Sequence, residues 1–584
     1  MSPDISPGAA APDLSVLGKL ADALAHRGPD GTGQTVVGRI AMVQTRLAII
    51  DVTGGDQPLF AGPAALVANG EIYNYRELKA AMPGVRFATH SDCEPPLQLW
   101  LRDGADFPRH LRGMYAIAIH ARDARTVTLT RDPFGIKPLY IAAVPQGMAF
   151  ASEPEALLTS FALPRRLRRA ARDELLQMQF TTGADTIFEG IQRVLPGETL
   201  TIGEGRIVER RHDEVLPEGG AEEIDEATAL ERLDRALMES VELHQRSDVP
   251  YGMFLSGGVD SASVLALMAR LNAEPVLAYT AGFNVPGAAD ERGVAAAVAE
   301  AAGARHETVE ITEAMVWRHL PQIVACMDDP AADYAIIPTW FLAQRARQDV
   351  KVVLSGEGGD EIFGGYGRYR SAMRPWWLGG RLMRGRGSFD RLNVLRVTPT
   401  GWRDGLAAAE ARAARPGRSR LAVAQATDMT DWLPHDLLLK LDRCLMAHGV
   451  EGRTPFLDRA VLECAFRLPD ELKVRGGRGK YLLRRWLERA LPQARPFAPK
   501  QGFTVPIGAW IAEQGARLGP LVAAQPGVAE IAEPERVVAL FRAAHGRHEG
   551  FAAWTLLFYG LWHRAHILGL KMGGDVFDVL GDRA

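Results

Sequence analysis

The sequence predicts an α/β chain built in two parts. A strand-rich, layered half covers residues 1–210, and a parallel, doubly wound half covers 225–584 and turns mostly helical from about 390. Three observations carry this. SGGVDS (256–261) closes the apolar run YGMFL (251–255) and opens a helix whose apolar face is Val264, Leu267, Met268 and Leu271, a strand–turn–helix unit. Short β-type runs crowd the first 210 residues, whereas strands and helices alternate after about 225. Between them lies HDEVLPEGGAEE (212–223), rich in Pro, Gly and acid, which places a linker over 211–224.

In the first half the β-type runs are RIAMVQTRLAIIDV (39–52), ALVANGEIY (65–73), MYAIAIHA (114–121), TVTLTRD (126–132) and MAFAS (148–152). LSVLGKLADALAH (14–26) and PPLQLWLRDG (95–104) have helical spacing, which gives an α+β layered pattern. In the second half PVLAYTAGF (275–283) and KVVL (351–354) read as buried strands, with a helix over ERGVAAAVAEAAG (291–303) between them. Such sheets bind ligands beyond the C-terminal ends of their strands. The sequence carries no internal repeats.

Composition removes several function classes. At 584 residues, 47% hydrophobic and 24% charged, the chain has the make-up of a soluble globular protein. A net charge of −4 gives no reason to expect nucleic acid or an anionic membrane as the main partner. The basic stretches at Arg165–Arg172 and Arg368–Arg386 therefore read as a solvated helix face or an inter-domain seam. Prolines and acids break up residues 1–15, so no signal peptide is expected there, and no run reaches the length of a membrane span. Cys93, Cys326, Cys444 and Cys464 are too scattered for a disulfide framework or a zinc cluster. A cytoplasmic home is expected.

SGGVDS is an anion site by construction. A strand that turns through two glycines into a helix N-terminus aims backbone N–H groups and the positive dipole end at one point, with no Cβ to hold a phosphate off. It lacks the lysine of a Walker A loop. Asp260 in the turn suits Mg²⁺ held against phosphates. LSGEGGDE (354–361) repeats the theme about a hundred residues on: a buried strand ends in a Gly-rich turn with acids. Asp360 there gives a second carboxylate for Mg²⁺ on a triphosphate, and Glu357 is placed to act on a nucleophile. Lys480, entering an amphipathic helix in RGKYLLRR, is either a phosphate clamp or a solvated lysine.

SGGVDS, LSGEGGDEIFGGY (354–366), LLLKLDRCLMAHGVEGRTPFLD (437–458), GKYLLR (479–484) and KQGFTVPIGAW (500–510) together resemble the synthetase domain of glutamine-dependent asparagine synthetases. The resemblance covers nearly the whole chain and implies an adenine-nucleotide hydrolase-like fold. It also implies the chemistry: the side-chain carboxylate of aspartate attacks the α phosphate of ATP, giving β-aspartyl-AMP and pyrophosphate, and ammonia then displaces AMP. By resemblance Phe254 and Ala281 contact the nucleotide, and Ser256, Gly257, Gly258, Asp260, Ser261, Ser355 and Gly356 hold phosphates and adenylate. Asp260 and Asp360 bind Mg²⁺, Glu357 works at the aspartyl-adenylate, and Lys480 neutralises charge on the pentavalent phosphorus. One departure stands out. Some members place an arginine for the aspartate carboxylate just ahead of IPTWFLAQ (337–344), where this chain has Tyr334. Either another cation reads that carboxylate or the acceptor is not free aspartate.

In the first half HRGPDG (26–31), TRLAIID (45–51), NGEIYN (69–74), SDCE (91–94) and RDPFGIKPLY (131–140) resemble the glutaminase domain of class II amidotransferases, which implies an αββα N-terminal-nucleophile fold. By resemblance Arg46 pairs with the carboxylate of glutamine, a bidentate task. Asn69 and Gly70 form the oxyanion hole, Glu71 and Asp92 hold the α-amino side, and Leu47, Ala48, Ile49 and Ile50 form the adjoining wall. The family's nucleophile is an N-terminal cysteine. This sequence begins MSPDISPG, so it shows no such nucleophile; Ser2 is a formal substitute, but Pro3, Asp4 and Pro7 oppose the strand that should follow. Cys93 lies inside the substrate motif without a free amine and is expected to pack. The expectation is that Met1 is an internal methionine, that a short stretch of the Met-Cys-Gly-Ile type lies upstream, and that this form uses ammonia.

Three readings follow: a glutamine-dependent asparagine synthetase, an ammonia-dependent or altered-acceptor ligase of the same fold, and a non-catalytic nucleotide-binding protein. β-Lactam synthetases also lack the cysteine but replace the glutamate of SGEGGDE. The expected partners are small molecules (aspartate, glutamine or ammonia, and ATP), with a homodimer as one allowed assembly.

Overall fold

The computed structural model describes residues 14–121, 125–285, 291–378, 380, 383–498 and 505–582. The expectations on Ser2 to Asp13 and on most of KQGFTV lie outside the described residues. The chain separates into two compact units, one of Met1–Pro164 with Gly190–Asp213, the other of Arg165–Glu189 with Glu214–Ala584.

The first unit is a stack of layers. Its strands are β1 (Gly31–Val37), β2 (Ile40–Arg46), β3 (Leu59–Ala61), β4 (Ala64–Ile72), β5 (Gly113–Ala121), β6 (Thr126–Arg131), β7 (Tyr140–Val144), β8 (Gly147–Ala151), β9 (Ile191–Arg193), β10 (Glu198–Gly203) and β11 (Arg206–His212). They form a β1-β2 hairpin, a six-stranded antiparallel sheet ordered β11-β10-β6-β5-β4-β3, and a β8-β7-β9 sheet. Alternation along β4 and β5 feeds two cores, because successive side chains point to opposite faces. Leu66, Ala68, Ile117 and Ile119 pack with Leu97 and Leu99 of the helix Glu94–Asp103. Ala65, Val67, Ala116 and Ala118 pack with Met42 of β2 and Ile141 of β7. The helices Ser15–Leu24 and Pro154–Ser160 lie against β2 and β8, which completes the expected αββα order.

The second unit holds β12 (Tyr251–Phe254), β13 (Leu277–Phe283), β14 (Arg305–Ile311), β15 (Val352–Leu354) and β16 (Glu451–Arg453) in one sheet, β14-β13-β12-β15-β16, parallel throughout. The chain runs outward from β12 to β14, then returns to the other side of β12. The order therefore reverses between β12 and β15, and at such a switch point the two loops part to leave a crevice. Helices dominate from Asp404 to Gly581, among them the long buried Arg547–His566.

Two expectations are corrected. The strand expected over 39–52 ends at Arg46, because the Arg46 guanidinium draws the carbonyls of Ile50, Asp51 and Val52 around itself and folds 47–52 into a loop. The expected continuous span 1–210 is interrupted: 165–189 belongs with the second unit. There the Gln179 carbonyl accepts from the Ala332 amide at 2.7 Å and its side chain donates to Thr555 Oγ1 at 3.1 Å. From Glu214 on, the stretch read as a linker is held within the same unit. Leu216 is buried, Glu214 pairs with Arg415 at 2.5 Å, and the Glu222 amide donates to the Arg467 carbonyl. The basic stretch Arg165–Arg172 packs inside the second unit, with Arg165 donating to the His566 carbonyl and Arg172 to Glu530.

Candidate functional site

The two Gly-rich loops flank the strand-order reversal. After β12, Ser256, Gly257 and Gly258 lead into the helix Val259–Leu271, whose N-cap Gly258 supplies no side-chain cap, so its first-turn N–H groups remain available. The Ser261 hydroxyl ties the loop, accepting from the Ser256 amide at 3.1 Å and lying 3.1 Å from Ser256 Oγ. After β15, the Ser355 amide donates to the Arg453 carbonyl, and Ser355 Oγ is buried with no partner among the described residues. A Cβ on Gly356 would stand 2.9 Å from both Asp260 Cβ and the Ser261 nitrogen, so only glycine lets the loops meet. Phe254 ends β12 and Ala281 lies in β13, next to the Thr280 hydroxyl that donates to the Leu255 carbonyl.

Lys480 joins the two loops. It is buried, it sits at the N-cap of the helix Tyr481–Ala490 with φ +59°, and its amide donates to the Phe363 carbonyl. Its ammonium contacts the Asp260 carboxylate and lies 2.6 Å from Asp360 Oδ1. Burial alone would drag this ammonium down, but Asp260 and Asp360 reverse that and hold it above its usual range. The alternative of a solvated lysine is thereby excluded. Two hard carboxylates converging on one cationic position is a donor set that fits Mg²⁺, which takes one or two carboxylates and completes its shell with phosphates and water. Among the described residues no group of three or more acids, histidines or cysteines forms a ready-made metal cage.

A second lysine, which the sequence reading missed, serves the other end. Lys440, on the helix Leu438–Met446, places Nζ 3.2 Å from Asp333 Oδ2 and 3.8 Å from Glu357 Oε1. Burial raises the Glu357 carboxyl; Lys440 opposes that, while Asp333, Asp360 and Asp260 add to it. The preceding turn is a π-helix, Asp428–Leu437. There Asp436 accepts from Trp432 Nε1 at 2.6 Å and is pushed up to about 7 by burial and by Asp333. The signal was available: a lysine inside LLLKL sits where only apolar residues belong unless paired. Glu361, one residue past Asp360, is fully buried, accepts from the Tyr366 hydroxyl at 2.8 Å and is pushed up to about 8 by burial and Asp360. Tyr334 lies beside Asp333, with Lys440 and Arg547 the cations around it.

In the first unit the predicted glutamine residues gather along one end of β4. Asn69 Nδ2 lies 3.3 Å from Ser152 Oγ. Gly70 has φ +137°, and a Cβ there would sit 2.8 Å from Tyr115 Cα and collide with the Met114 carbonyl. Glu71 is buried, and Asp92 accepts from the Ile72 amide at 2.7 Å. Asp51, in the loop that Arg46 organises, accepts from the His90 amide at 2.8 Å and so ties that loop to the Asp92 segment. Arg46 itself is buried and lies 2.8 Å from Asp56. Ala48, Ile49 and Ile50 are buried beside it and Leu47 partly so. Cys93 packs in the core with Leu97, as expected.

A layered αββα unit joined to a parallel sheet with a phosphate-type switch-point loop defines an amidotransferase fused to an ATP-using synthetase. The comparisons agree. The family pattern described as glutamine amidotransferase domain matches residues 7–213, and that described as asparagine synthase matches 232–564. The chain belongs to the asparagine synthase family. It is similar to asparagine synthetase [glutamine-hydrolyzing] 1 of Bacillus subtilis (strain 168), 31% identical over 93% of this chain and 92% of the relative. A provisionally named glutamine-hydrolysing asparagine synthetase of Mycobacterium tuberculosis (strain ATCC 25618 / H37Rv) is 34% identical over 95% of each. Asparagine synthetase B [glutamine-hydrolyzing] of Escherichia coli (strain K12) is 27% identical over 84% of this chain and 79% of its own. Among the described residues no helix is long and apolar enough to cross a membrane.

Proposed function

We propose that the chain converts aspartate, ATP and a nitrogen donor, glutamine or ammonia, into asparagine, AMP and pyrophosphate through β-aspartyl-AMP. The observation that carries this is the convergence of Asp260, Asp360 and Lys480 at the crevice between β12 and β15. Triphosphate would lie over the SGGVDS turn, its charge met by the helix N-terminus and by Lys480. Ser355 Oγ, buried and unpartnered, suits the adenylate. Asp260 and Asp360 would hold Mg²⁺, which when bound offsets phosphate charge. Phe254 and Ala281 would border the base and ribose. In the first unit, Arg46 would take the carboxylate of glutamine, Glu71 and Asp92 its amine, and Asn69 and Gly70 its oxyanion, with Leu47 to Ile50 as the wall. ATP and aspartate are cytoplasmic pools, which supports a cytoplasmic location.

The test is product analysis. Chromatography after turnover with aspartate, ATP and either ammonium or glutamine should give AMP, pyrophosphate and asparagine. ADP as the main product overturns the reading. A panel of other carboxylates, run in parallel, settles the acceptor that Tyr334 leaves in question; faster AMP release with another acid than with aspartate removes aspartate.

A further inference from the structure

We propose that Lys440 is a positioning residue for amide formation, holding the Glu357 carboxylate in place beside the adenylate; this rests on the reading of Glu357 given above. In that step the lone pair of ammonia bonds the carbonyl carbon of the aspartyl-adenylate, and the carbon–oxygen bond to AMP breaks. The proton shed by nitrogen passes to the Glu357 carboxylate. Glu357 must therefore begin as an anion, and its surroundings oppose that. It shares its loop with Asp360, Asp333 lies across the Lys440 ammonium from it, and it is only partly open to solvent. Lys440 is the cation placed to answer this, 3.8 Å from Oε1. Its ammonium is fixed in place, 3.2 Å from Asp333, with Asp436 one turn earlier on the same side of the helix.

The geometry divides the acidic crevice between two lysines. Lys480 meets Asp260 and Asp360 at the phosphate end, whereas Lys440 meets Glu357 and Asp333 at the other end. Adenylation draws on the first pair and amide formation on the second, so the two half-reactions should separate on mutation.

Aspartate-dependent exchange of labelled pyrophosphate into ATP reports adenylation alone, and asparagine formed at saturating ammonium reports both steps. Lys440→Met should cut asparagine formation by on the order of 10²-fold, the usual weight of a general base, while exchange stays within about threefold. Lys440→Arg should recover most of the loss. Because both residues act in one step, the double variant with Glu357→Gln should be no slower than Glu357→Gln alone. Should Lys440→Met fail to fold, Asp333→Asn leaves the ammonium present but loosens it, and should slow the same step selectively. An unchanged rate of asparagine formation, additive losses in the double variant, or exchange lost together with a raised KM for aspartate would each overturn the proposal. The last would make Lys440 a reader of the acceptor. A parent enzyme that makes AMP but no asparagine would instead fail the underlying reading, and is seen before any variant is made.

Discussion

Replacing Lys480 with Met removes a cation that touches both Asp260 and Asp360 while keeping the length of the side chain. Lys480 sits at φ +59°, a conformation that costs an ordinary residue about 1–2 kcal/mol, so a glycine there would relieve strain and confuse the result. Methionine keeps the strain and isolates the charge. The three side chains are 6%, 16% and 20% exposed, which makes this a mostly buried ion triad. Removing one partner from a buried pair costs about 3–5 kcal/mol, and because both carboxylates retain some water we expect the lower end, about 3 kcal/mol. The folded ammonium is held above its ordinary value, so its stabilising contribution is fully present below about pH 10 and is lost only as pH rises through the folded value. The loss should therefore be the same at pH 7 and pH 9. On catalysis, a preorganised charge at the transferring phosphorus is worth on the order of 10²-fold or more in rate. Denaturant unfolding at the two pH values, with AMP release at saturating ATP, measures both effects. A Lys480→Met enzyme as stable and as fast as the parent would refute the reasoning. So would a stability loss that disappears between pH 7 and 9.

Three further outcomes are expected. His448, edge-on to Trp340 at 4.4 Å, is pushed down to about 4 by burial and by His319, so the unfolded chain takes its proton first. Stability present above pH 6.5 is lost as pH falls towards 4, about 2 kcal/mol of it by pH 5; His448→Phe should flatten that limb in urea melts at pH 7 and 5. Gly356→Ala drives a Cβ into Asp260 and the Ser261 nitrogen, and pyrophosphate exchange should fall by about 10²-fold or more, since misplacing a bound phosphate by an ångström is that costly. Gly70→Ala sets a side chain against the Met114 carbonyl at φ +137°. It should destabilise the first unit by about 1–3 kcal/mol, seen as a lowered unfolding midpoint with ammonia-dependent synthesis retained.

Sequence spacing revealed what is local. SGGVDS and LSGEGGDE announce strand, turn and helix within a dozen residues, and the structure places them at adjoining strand ends because β12 and β15 are neighbours. What escaped is non-local or short. β16 has three residues and leaves no periodicity to detect. β14, RHETVEI, is an edge strand whose mixed burial hides its apolar face. The excursion 165–189 is tied to its unit through Ala332 and Thr555, contacts that no window of sequence contains. Lys440 escaped for a similar reason: its meaning depends on Asp333 and Glu357, about a hundred residues earlier in the chain.

The charge count at the crevice adds a constraint of its own. Asp260, Asp360, Glu357 and Asp333 bring four carboxylates to the crevice, and among the described residues Lys480 meets the first two and Lys440 the last two. Glu361 nearby is pushed up to about 8 and Asp436 to about 7, so burial lessens the negative charge that these two add near neutral pH. Even so, carboxylates crowd the place where a polyanionic triphosphate would settle. Bringing like charges together in a partly desolvated cleft costs far more than in water. The helix N-terminus at Gly258 offers only about half a charge in return. A cation accompanying the triphosphate would offset that repulsion. A divalent ion held by Asp260 and Asp360 would turn them from repellent into binding groups. That gives a physical reason for the acids to stand in a loop otherwise built to receive anions.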